Sequence, residues 1–378
     1  MKTALTMGVA LLLSIFGASV WSESLPGPHN AITDVPGIEV GHYAEKPLLT
    51  GTTVILARQG AVGAVDVRGS APGTRETDLL NPINLVEKAH AIVLSGGSAY
   101  GLATADGVMK CLEDQGIGFP VGAGQVVPIV PAAILYDLGR CGTDFKKRPD
   151  AQYGLKACKA AANGPVAQGN VGAGTGARAG GLKGGIGTAS LDLGNGVMVG
   201  AIVAVNSFGS TVNPQTGTLY AAFLEVGKEF GNFQPPKSSL NQSGDRTAGN
   251  ETDFVRNTTI AVVATNVDLT KAQALKIAQM AHDGIARAIR PAHTMFDGDT
   301  LFALATGQIK LQTLPDQAVW GNLPASINRI GNAAADTLSR AIVRAMLAAE
   351  TVPGCMTGYC DKYPGACSAR TEEKSPTK

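Results

Sequence analysis

A threonine at the start of a predicted strand is the residue of this chain best suited to covalent chemistry. Asn257-Thr258-Thr259 runs directly into the apolar stretch Ile260-Ala261-Val262-Val263-Ala264. Small and β-branched residues that follow a long hydrophilic segment, about 228–256, predict a buried strand with Thr258 at its mouth. If the Asn257–Thr258 bond were cut, Thr258 would gain an α-amino group with a pKa of roughly 7.7–8.0. Such an amine can accept the proton of its own hydroxyl. An ordinary loop-to-strand junction, or an N-glycosylation sequon, would account for the same residues.

Five other polar side chains could assist such a nucleophile. Lys183 lies in a glycine-rich run that could bring its ammonium close to a reacting group, or it is a solvated surface lysine. Asn206 ends a predicted strand and could donate to a developing oxyanion, or it is a turn residue. Asp297 and Asp299 could orient the nucleophile or bind a cation, although an Asx turn also explains them. Tyr136, viewed alone, is explained by packing.

Two common motifs are present only in part. Ser98 follows a predicted strand and precedes a predicted helix, but Tyr100 stands where a nucleophile elbow requires its second glycine. A tight strand-to-helix turn is the alternative. Gly174-Thr175-Gly176-Ala177-Arg178-Ala179 fits a loose dinucleotide pattern, yet the residues before it do not predict a strand. Neither motif identifies a function by itself.

Strand-like and helix-like segments alternate irregularly along the chain. The runs 51–57 and 61–67, divided by Arg58-Gln59-Gly60, predict a hairpin. Further strands are predicted at 91–94, 197–205 and 300–305, and helices at 100–114, at 151–162, from the Thr270 cap to Pro291, and at 327–349. Thr270 and Gln273 match a capping box at the start of the third helix. Hairpins with a few alanine-rich helices favour helices that cover strands in layers over a doubly wound fold.

The N-terminal residues indicate the location of the protein, and the overall charge indicates which partners it does not bind. Met1-Lys2 and the apolar run 7–20 resemble a signal peptide, with Val20-Trp21-Ser22 at its end. We therefore assign 1–22 to the leader and expect a periplasmic or secreted protein that does not span a membrane after processing. The formal net charge of +1 argues against a nucleic-acid partner.

The cysteine count suits an exported chain. The six cysteines, Cys111, Cys141, Cys158, Cys355, Cys360 and Cys367, permit disulfides but do not fix their pairing. Their C-terminal cluster predicts a stapled tail, 351–378. Because no Cys-x-x-Cys spacing or nearby histidine is present, we expect no metal site. No cofactor is expected either.

Several separate motifs, in order, resemble the P1 family of peptidases, which includes D-aminopeptidases, β-peptidyl aminopeptidases and nylon-oligomer hydrolases. They are Asn30-Ala31-Ile32-Thr33-Asp34-Val35-Pro36-Gly37, Ser95-Gly96-Gly97-Ser98-Ala99-Tyr100-Gly101, Val171-Gly172-Ala173-Gly174-Thr175-Gly176-Ala177, Asn206-Ser207-Phe208-Gly209 and Asn257-Thr258-Thr259-Ile260. The resemblance covers nearly the whole mature chain. It implies an α+β fold of the αββα four-layer type, shared with ornithine acetyltransferases, and a precursor that cuts itself before its nucleophile.

The resemblance also implies roles for individual residues. The Asn257–Thr258 bond matches the autocleavage site, which would give a large chain, 23–257, and a small chain, 258–350, of one catalytic domain. Thr258 matches the nucleophile and Asn206 the oxyanion donor. Tyr136 matches an active-site tyrosine. Lys183 matches a lysine next to the nucleophile, and Asp297 and Asp299 match a pair of acidic residues, both features of the nylon-oligomer branch. Family members tend to form tetramers.

One position departs from the aminopeptidase pattern. Ile134 stands where aminopeptidase members carry a glutamate that anchors the free amine of the substrate. A cationic amine facing isoleucine would lose its hydration without a partner. The sequence therefore predicts an exported, self-processing hydrolase of small peptides or amides, either an aminopeptidase or an amidase. The alternatives are an acyltransferase of the ornithine-acetyltransferase type and a non-catalytic periplasmic binding protein.

Overall fold

The computed structural model describes residues 25–231, 233–236, 257–311 and 322–367. The predicted leader, 1–22, and most of the hydrophilic segment before Asn257 lie outside the described residues. The strands are β1 (Glu39–Glu45), β2 (Thr50–Val67), β3 (Thr74–Arg75), β4 (Lys88–Ser95), β5 (Phe119–Gly122), β6 (Gln125–Val127), β7 (Ala132–Ile134), β8 (Arg178–Ala179), β9 (Leu182–Lys183), β10 (Gly185–Asp192), β11 (Met198–Asn206), β12 (Thr258–Asp268) and β13 (Thr300–Lys310). The α-helices are α1 (Thr104–Glu113), α2 (Ala151–Lys159), α3 (Lys271–Ala288), α4 (Asn322–Ala348) and α5 (Tyr359–Lys362).

Nine of these strands form one mixed sheet. Its order is β10-β11-β12-β13-β2-β4-β7-β3, with β1 paired to the side of β2. β12 lies inside this order, antiparallel to β11 on one side and parallel to β13 on the other. The strand that begins at Thr258 is therefore held by neighbours on both edges.

Three apolar cores divide the molecule into four layers. The first core joins one face of β10–β13 to α3 and α4, for example through Val263 and Ile285. The second joins the opposite face of these strands, including Val262, to β2 and β4. The third joins the outer face of β2 and β4 to α1 and α2, for example through Val93 and Val108. Strand residues alternate between neighbouring cores, as a pleated backbone requires, so the α+β, helix–sheet–sheet–helix prediction is confirmed.

The four predicted helices are present; α2 begins where it is predicted, at Ala151, and the bounds of the others differ by a few residues. The Thr270 side chain accepts a hydrogen bond from the Gln273 backbone and the Gln273 side chain accepts one from the Thr270 backbone, which confirms the capping box of α3. The helix predicted from residue 100 begins instead as a 3₁₀ turn, Ser98–Ala103, before α1. The tighter turn starts directly after Gly97, which has a left-handed backbone.

The predicted hairpin of 51–57 and 61–67 is wrong, because both runs belong to the single 18-residue strand β2. Between Leu56 and Ala61 the register against β4 shifts, which marks a bulge where a turn was predicted. Arg58 at this bulge donates hydrogen bonds of 2.9 and 3.0 Å to Glu39 on β1. Tertiary pairing with β1 and β4 thus keeps the strand extended.

Three disulfides join the six cysteines: Cys111–Cys158, Cys141–Cys355 and Cys360–Cys367. The second bond connects the segment after Tyr136 to the C-terminal tail, and the third closes a short loop within that tail. The predicted disulfide within the tail is therefore present, and a second disulfide joins the tail to Cys141. Among the described residues, no helix combines the length and apolar character needed to cross a bilayer.

Candidate active site

Asn206 and Thr258 occupy the paired ends of β11 and β12. The antiparallel register sets them directly opposite each other. Both are buried, Asn206 completely and Thr258 with 5% of its surface exposed. The Thr258 hydroxyl donates a hydrogen bond to the carbonyl oxygen of Asn257. The nucleophilic oxygen of the prediction thus lies against the carbonyl group that self-cleavage would attack.

A backbone amide contacts the same carbonyl group. The Gly298 N–H donates to the Asn257 oxygen at 3.3 Å. A Cβ at Gly298 would lie 2.6 Å from the Ala71 carbonyl oxygen and 2.9 Å from the Thr258 hydroxyl oxygen. Only glycine fits between these atoms, which gives a physical reason for the residue between the two aspartates.

The two aspartates hold the ends of the strands that carry Asn206 and Thr258. Asp299 accepts the Thr259 N–H at 2.7 Å, and its other oxygen lies 2.9 Å from Nδ1 of His293. Asp297 accepts the Phe208 N–H at 3.1 Å, two residues beyond Asn206. Burial, with the adjacent charge of Asp299, raises the pKa of Asp297. The pair therefore positions backbone on both sides of the site.

The carboxamide of Asn206 has a defined orientation. Its Oδ1 accepts two hydrogen bonds, from Nη2 of Arg140 at 3.0 Å and from the Arg178 N–H at 2.9 Å. Two donors on one atom identify that atom as the oxygen. The donor end of the carboxamide is consequently Nδ2.

Lys183 lies opposite Arg178 on the β8–β9 ribbon, at the end of a Gly180-Gly181 turn. Both glycines have positive φ, as a two-residue hairpin turn requires. This ribbon begins within the dinucleotide-like pattern, at Arg178 and Ala179. The fully buried Lys183 ammonium donates to the carbonyl oxygens of Gly174 (2.8 Å) and Gly184 (2.6 Å). Burial, reinforced by the charge of Arg140, lowers its pKa to about 7.

A buried carboxylate near this lysine was not predicted. Asp137 accepts the Gly97 N–H at 2.7 Å, and burial raises its pKa to about 6, against the opposing effect of this hydrogen bond and of Arg140. The Ser95–Gly101 motif therefore serves in part to hold Asp137. Ser98 has positive φ and its N–H donates to Leu135, in a strand-to-turn junction.

Tyr136 lies at a cavity of about 140 Å³ beside Asn206. The wall also contains Arg140, Arg178, Met356 and the Cys141–Cys355 disulfide. The Lys183 N–H donates to the Thr357 carbonyl at 2.9 Å, so the tail borders this region from a second direction.

The predicted residues fall into two connected groups. Thr258, Asn206, Asp297 and Asp299 meet at the start of β12, whereas Lys183 and Tyr136 are linked to Asn206 through Arg178 and Arg140. Sequence reasoning missed five residues, Asp137, Arg140, Arg178, His293 and Gly298. Of these, only Gly298 had a local signal, its place between two acids. Among the described residues, no group of three or more His, Cys, Asp or Glu side chains has a metal-binding arrangement.

Comparison with known proteins gives a consistent result. Residues 30–358 match the model of peptidase family S58. An uncharacterized aminopeptidase of Mycobacterium leprae is 47% identical over 90% of this chain and 96% of its own length. A 6-aminohexanoate-oligomer endohydrolase of Kocuria sp. is 32% identical, with 82% and 84% of the two chains covered.

Solved structures share the fold. A Burkholderia sp. β-aminopeptidase superposes with a TM-score of 0.64 at 25% identity, over 94% of this chain and 97% of its own. The L-aminopeptidase D-Ala-esterase/amidase of Ochrobactrum anthropi, described as a variant of the Ntn hydrolase fold, gives a TM-score of 0.65 at 22% identity, over 93% and 97%.

Proposed function

This chain belongs to peptidase family S58 and is a hydrolase of peptide or amide bonds, and from that premise we propose that it cuts itself at Asn257–Thr258 and then uses Thr258 as its nucleophile. The observation that carries the proposal is the geometry at the scissile carbonyl. The Thr258 hydroxyl and the Gly298 N–H both donate to the oxygen of Asn257, directly across from Asn206.

Maturation is proposed to be an N-to-O acyl shift. The Thr258 oxygen attacks the Asn257 carbonyl carbon, the C–N bond breaks, and the resulting ester is opened by water. The products are a C-terminal carboxylate at Asn257 and a free α-amine and hydroxyl at Thr258. Gly298 supplies a backbone donor where negative charge develops on the carbonyl oxygen, the role of an oxyanion hole.

Lys183 is proposed to accept the hydroxyl proton in both maturation and turnover. A neutral lysine amine has two N–H donors and one lone pair, and its two donors are matched by the Gly174 and Gly184 carbonyl oxygens. A pKa of about 7 makes that neutral form abundant near neutral pH.

In turnover the Thr258 oxygen attacks the substrate carbonyl and Nδ2 of Asn206 donates to the oxyanion. The Lys183 side chain and the α-amine of Thr258 transfer the hydroxyl proton to the leaving amine. Water then hydrolyses the acyl ester. Asp297 and Asp299 act as positioning residues through the backbone N–H groups that they bind.

We further propose export and a homo-oligomeric assembly. Three disulfides among the described residues favour an oxidising compartment, in agreement with the signal-like residues 1–22. The oligomer rests on the family resemblance, and sedimentation of the processed protein would measure it.

Intact-protein mass spectrometry after disulfide reduction tests self-cleavage. Wild type should give two polypeptides that divide between Asn257 and Thr258, and Thr258→Ala should give one. Thr258→Ser is the matched control, because it keeps the hydroxyl and should still be cut. A wild-type chain that is continuous through residue 258 and yet fully active on amides would overturn the proposal.

A further inference from the structure

The cavity beside Asn206 is positively charged on the side of the arginines. Its described lining contains two guanidinium groups, Arg140 and Arg178, together with Tyr136 and Met356, and no carboxylate. Both arginines are half-buried. The Cys141–Cys355 disulfide forms another part of the wall. An arginine pair in a partly enclosed site attracts anions, and the planar guanidinium matches a carboxylate with two parallel hydrogen bonds.

The guanidinium groups of the two arginines differ in their hydrogen bonds within the protein. Nη2 of Arg140 donates to the carbonyl oxygen of Tyr136 and to Oδ1 of Asn206, at 3.0 Å each. Arg178 contacts Asn206 only through its backbone N–H. Within the described part of the chain, the Arg178 guanidinium has no hydrogen bond or ion pair. Its donors are therefore available to a molecule in the cavity.

The lining of the cavity is connected to the proposed nucleophile through Asn206. Arg140 and Arg178 both donate to the carboxamide of Asn206, and Asn206 is paired with Thr258. Ile134, at the position of the aminopeptidase glutamate, is buried and offers a cation no partner. A substrate ammonium in this region would face like charges, which disfavour it.

We infer that Arg178 and Arg140 form a carboxylate subsite, so that the preferred substrates carry a carboxylate close to the scissile amide. The link between this subsite and turnover rests on the proposed function, because Asn206, which both arginines contact, is the proposed oxyanion donor. It makes this protein an amidase of anionic substrates and sets it apart from enzymes that require a free amine.

Two pairs of synthetic amides test the inference on purified wild-type protein. The acyl-side pair is glutaryl-4-nitroanilide and its neutral amide analogue, in which the carboxylate is a carboxamide. The amine-side pair is hexanoyl-4-aminobenzoate and hexanoyl-4-aminobenzamide. We expect kcat/KM about tenfold higher for the carboxylate member of one pair. The pair that responds reports on which side of the scissile bond the subsite lies.

Variants separate the subsite from general electrostatics. Arg178→Gln should reduce the carboxylate-to-carboxamide ratio of kcat/KM towards one, and Arg178→Lys should retain part of it. Arg148→Gln is the matched control, because Arg148 stacks on the Tyr100 ring and does not line the cavity. It should leave the ratio unchanged. A ratio within twofold of one for both pairs in wild type, or an undiminished ratio in Arg178→Gln, would refute the subsite.

A binding measurement keeps this test independent of turnover. Calorimetric titration with glutarate, compared with glutaramide, should detect glutarate binding to wild type and at least about tenfold weaker binding to Arg178→Gln. Arg178-dependent binding in a protein that neither cuts itself nor hydrolyses amides would support the subsite while refuting the proposed function. Equal binding of glutarate to both proteins would refute the subsite alone.

Discussion

Asn206 and Thr258 are paired residues at the ends of two adjacent antiparallel strands. This relationship fixes the separation of the proposed oxyanion donor and the proposed nucleophile by the backbone ladder itself. Side-chain flexibility contributes little, because the oxygen of Asn206 is bound by two donors and Thr258 contacts Asn257.

Asn206→Ala should lower kcat by about 10²- to 10³-fold, the usual cost of losing one oxyanion donor. KM should change much less, because the interaction strengthens as charge develops. Steady-state kinetics on a chromogenic amide measure both constants. The control is Asn266→Ala, which removes an equally buried asparagine on β12 that bonds only Met198 and Gly196 backbone. It should reduce stability and leave kcat of the folded protein near the wild-type value, and an equal loss of kcat in both variants would contradict the role of Asn206.

Gly298→Ala should slow the conversion of precursor to two chains by about tenfold or more. Its Cβ would press on the Ala71 carbonyl and the Thr258 hydroxyl, and such overpacking costs about 1–3 kcal/mol. Time-resolved gels of freshly translated protein measure the conversion. Gly365→Ala is the control, because a Cβ there meets no atom within 4 Å. Unimpaired conversion in Gly298→Ala would show that this close approach is unimportant.

The rate of turnover should rise with pH through about 7 and level off above it, because the neutral amine of Lys183 is the proton acceptor. Its folded pKa lies below the unfolded value of about 10.4, so between these values the unfolded chain binds the extra proton. Stability from this residue therefore increases as pH rises from about 7 towards 10. Lys183→Met should process itself and turn over substrate more slowly, and any residual turnover should lack the inflection near pH 7. It should also flatten that rise in stability, as followed by denaturant unfolding at several pH values. An unchanged inflection near pH 7 in Lys183→Met would assign it to another group.

The Cys141–Cys355 disulfide should keep the processed chains together under denaturing conditions. Cys141 lies before the proposed cut and Cys355 after it. A denaturing gel without reductant should show one full-length band, and the same sample with reductant should show two. Cys355→Ser should show two bands in both lanes. The control, Cys360→Ser, removes a bond within the tail and should behave as wild type in this assay.

The architecture was largely predictable because its signals are local. The apolar runs of β11, β12 and β13 and the Thr270 capping box lie within short windows of sequence and predict these elements. β2 differs from its prediction, because Arg58 and Gly60 resemble turn residues whereas pairing with β1, β4 and β13 keeps the strand extended.

The site was predictable where a family motif marks the residue. Asn206 and Thr258 lie within such motifs, whereas Lys183, Tyr136, Asp297 and Asp299 were matched to the family one residue at a time. Asp137, Arg140 and Arg178 have no distinctive spacing, and they acquire their relevance only through contacts that span from 28 to 66 positions. Long-range contacts of this kind cannot be deduced from one sequence.

The interior position of β12 has a consequence for what a cut at Thr258 would create. Polypeptide termini usually fray because nothing restrains their last residues. A terminus generated here would remain flanked by β11 and β13 and packed between two apolar cores from Ile260 onward. The new α-amine would thus form on a strand that both neighbours hold in place. Its direction towards a substrate would be set before any substrate binds.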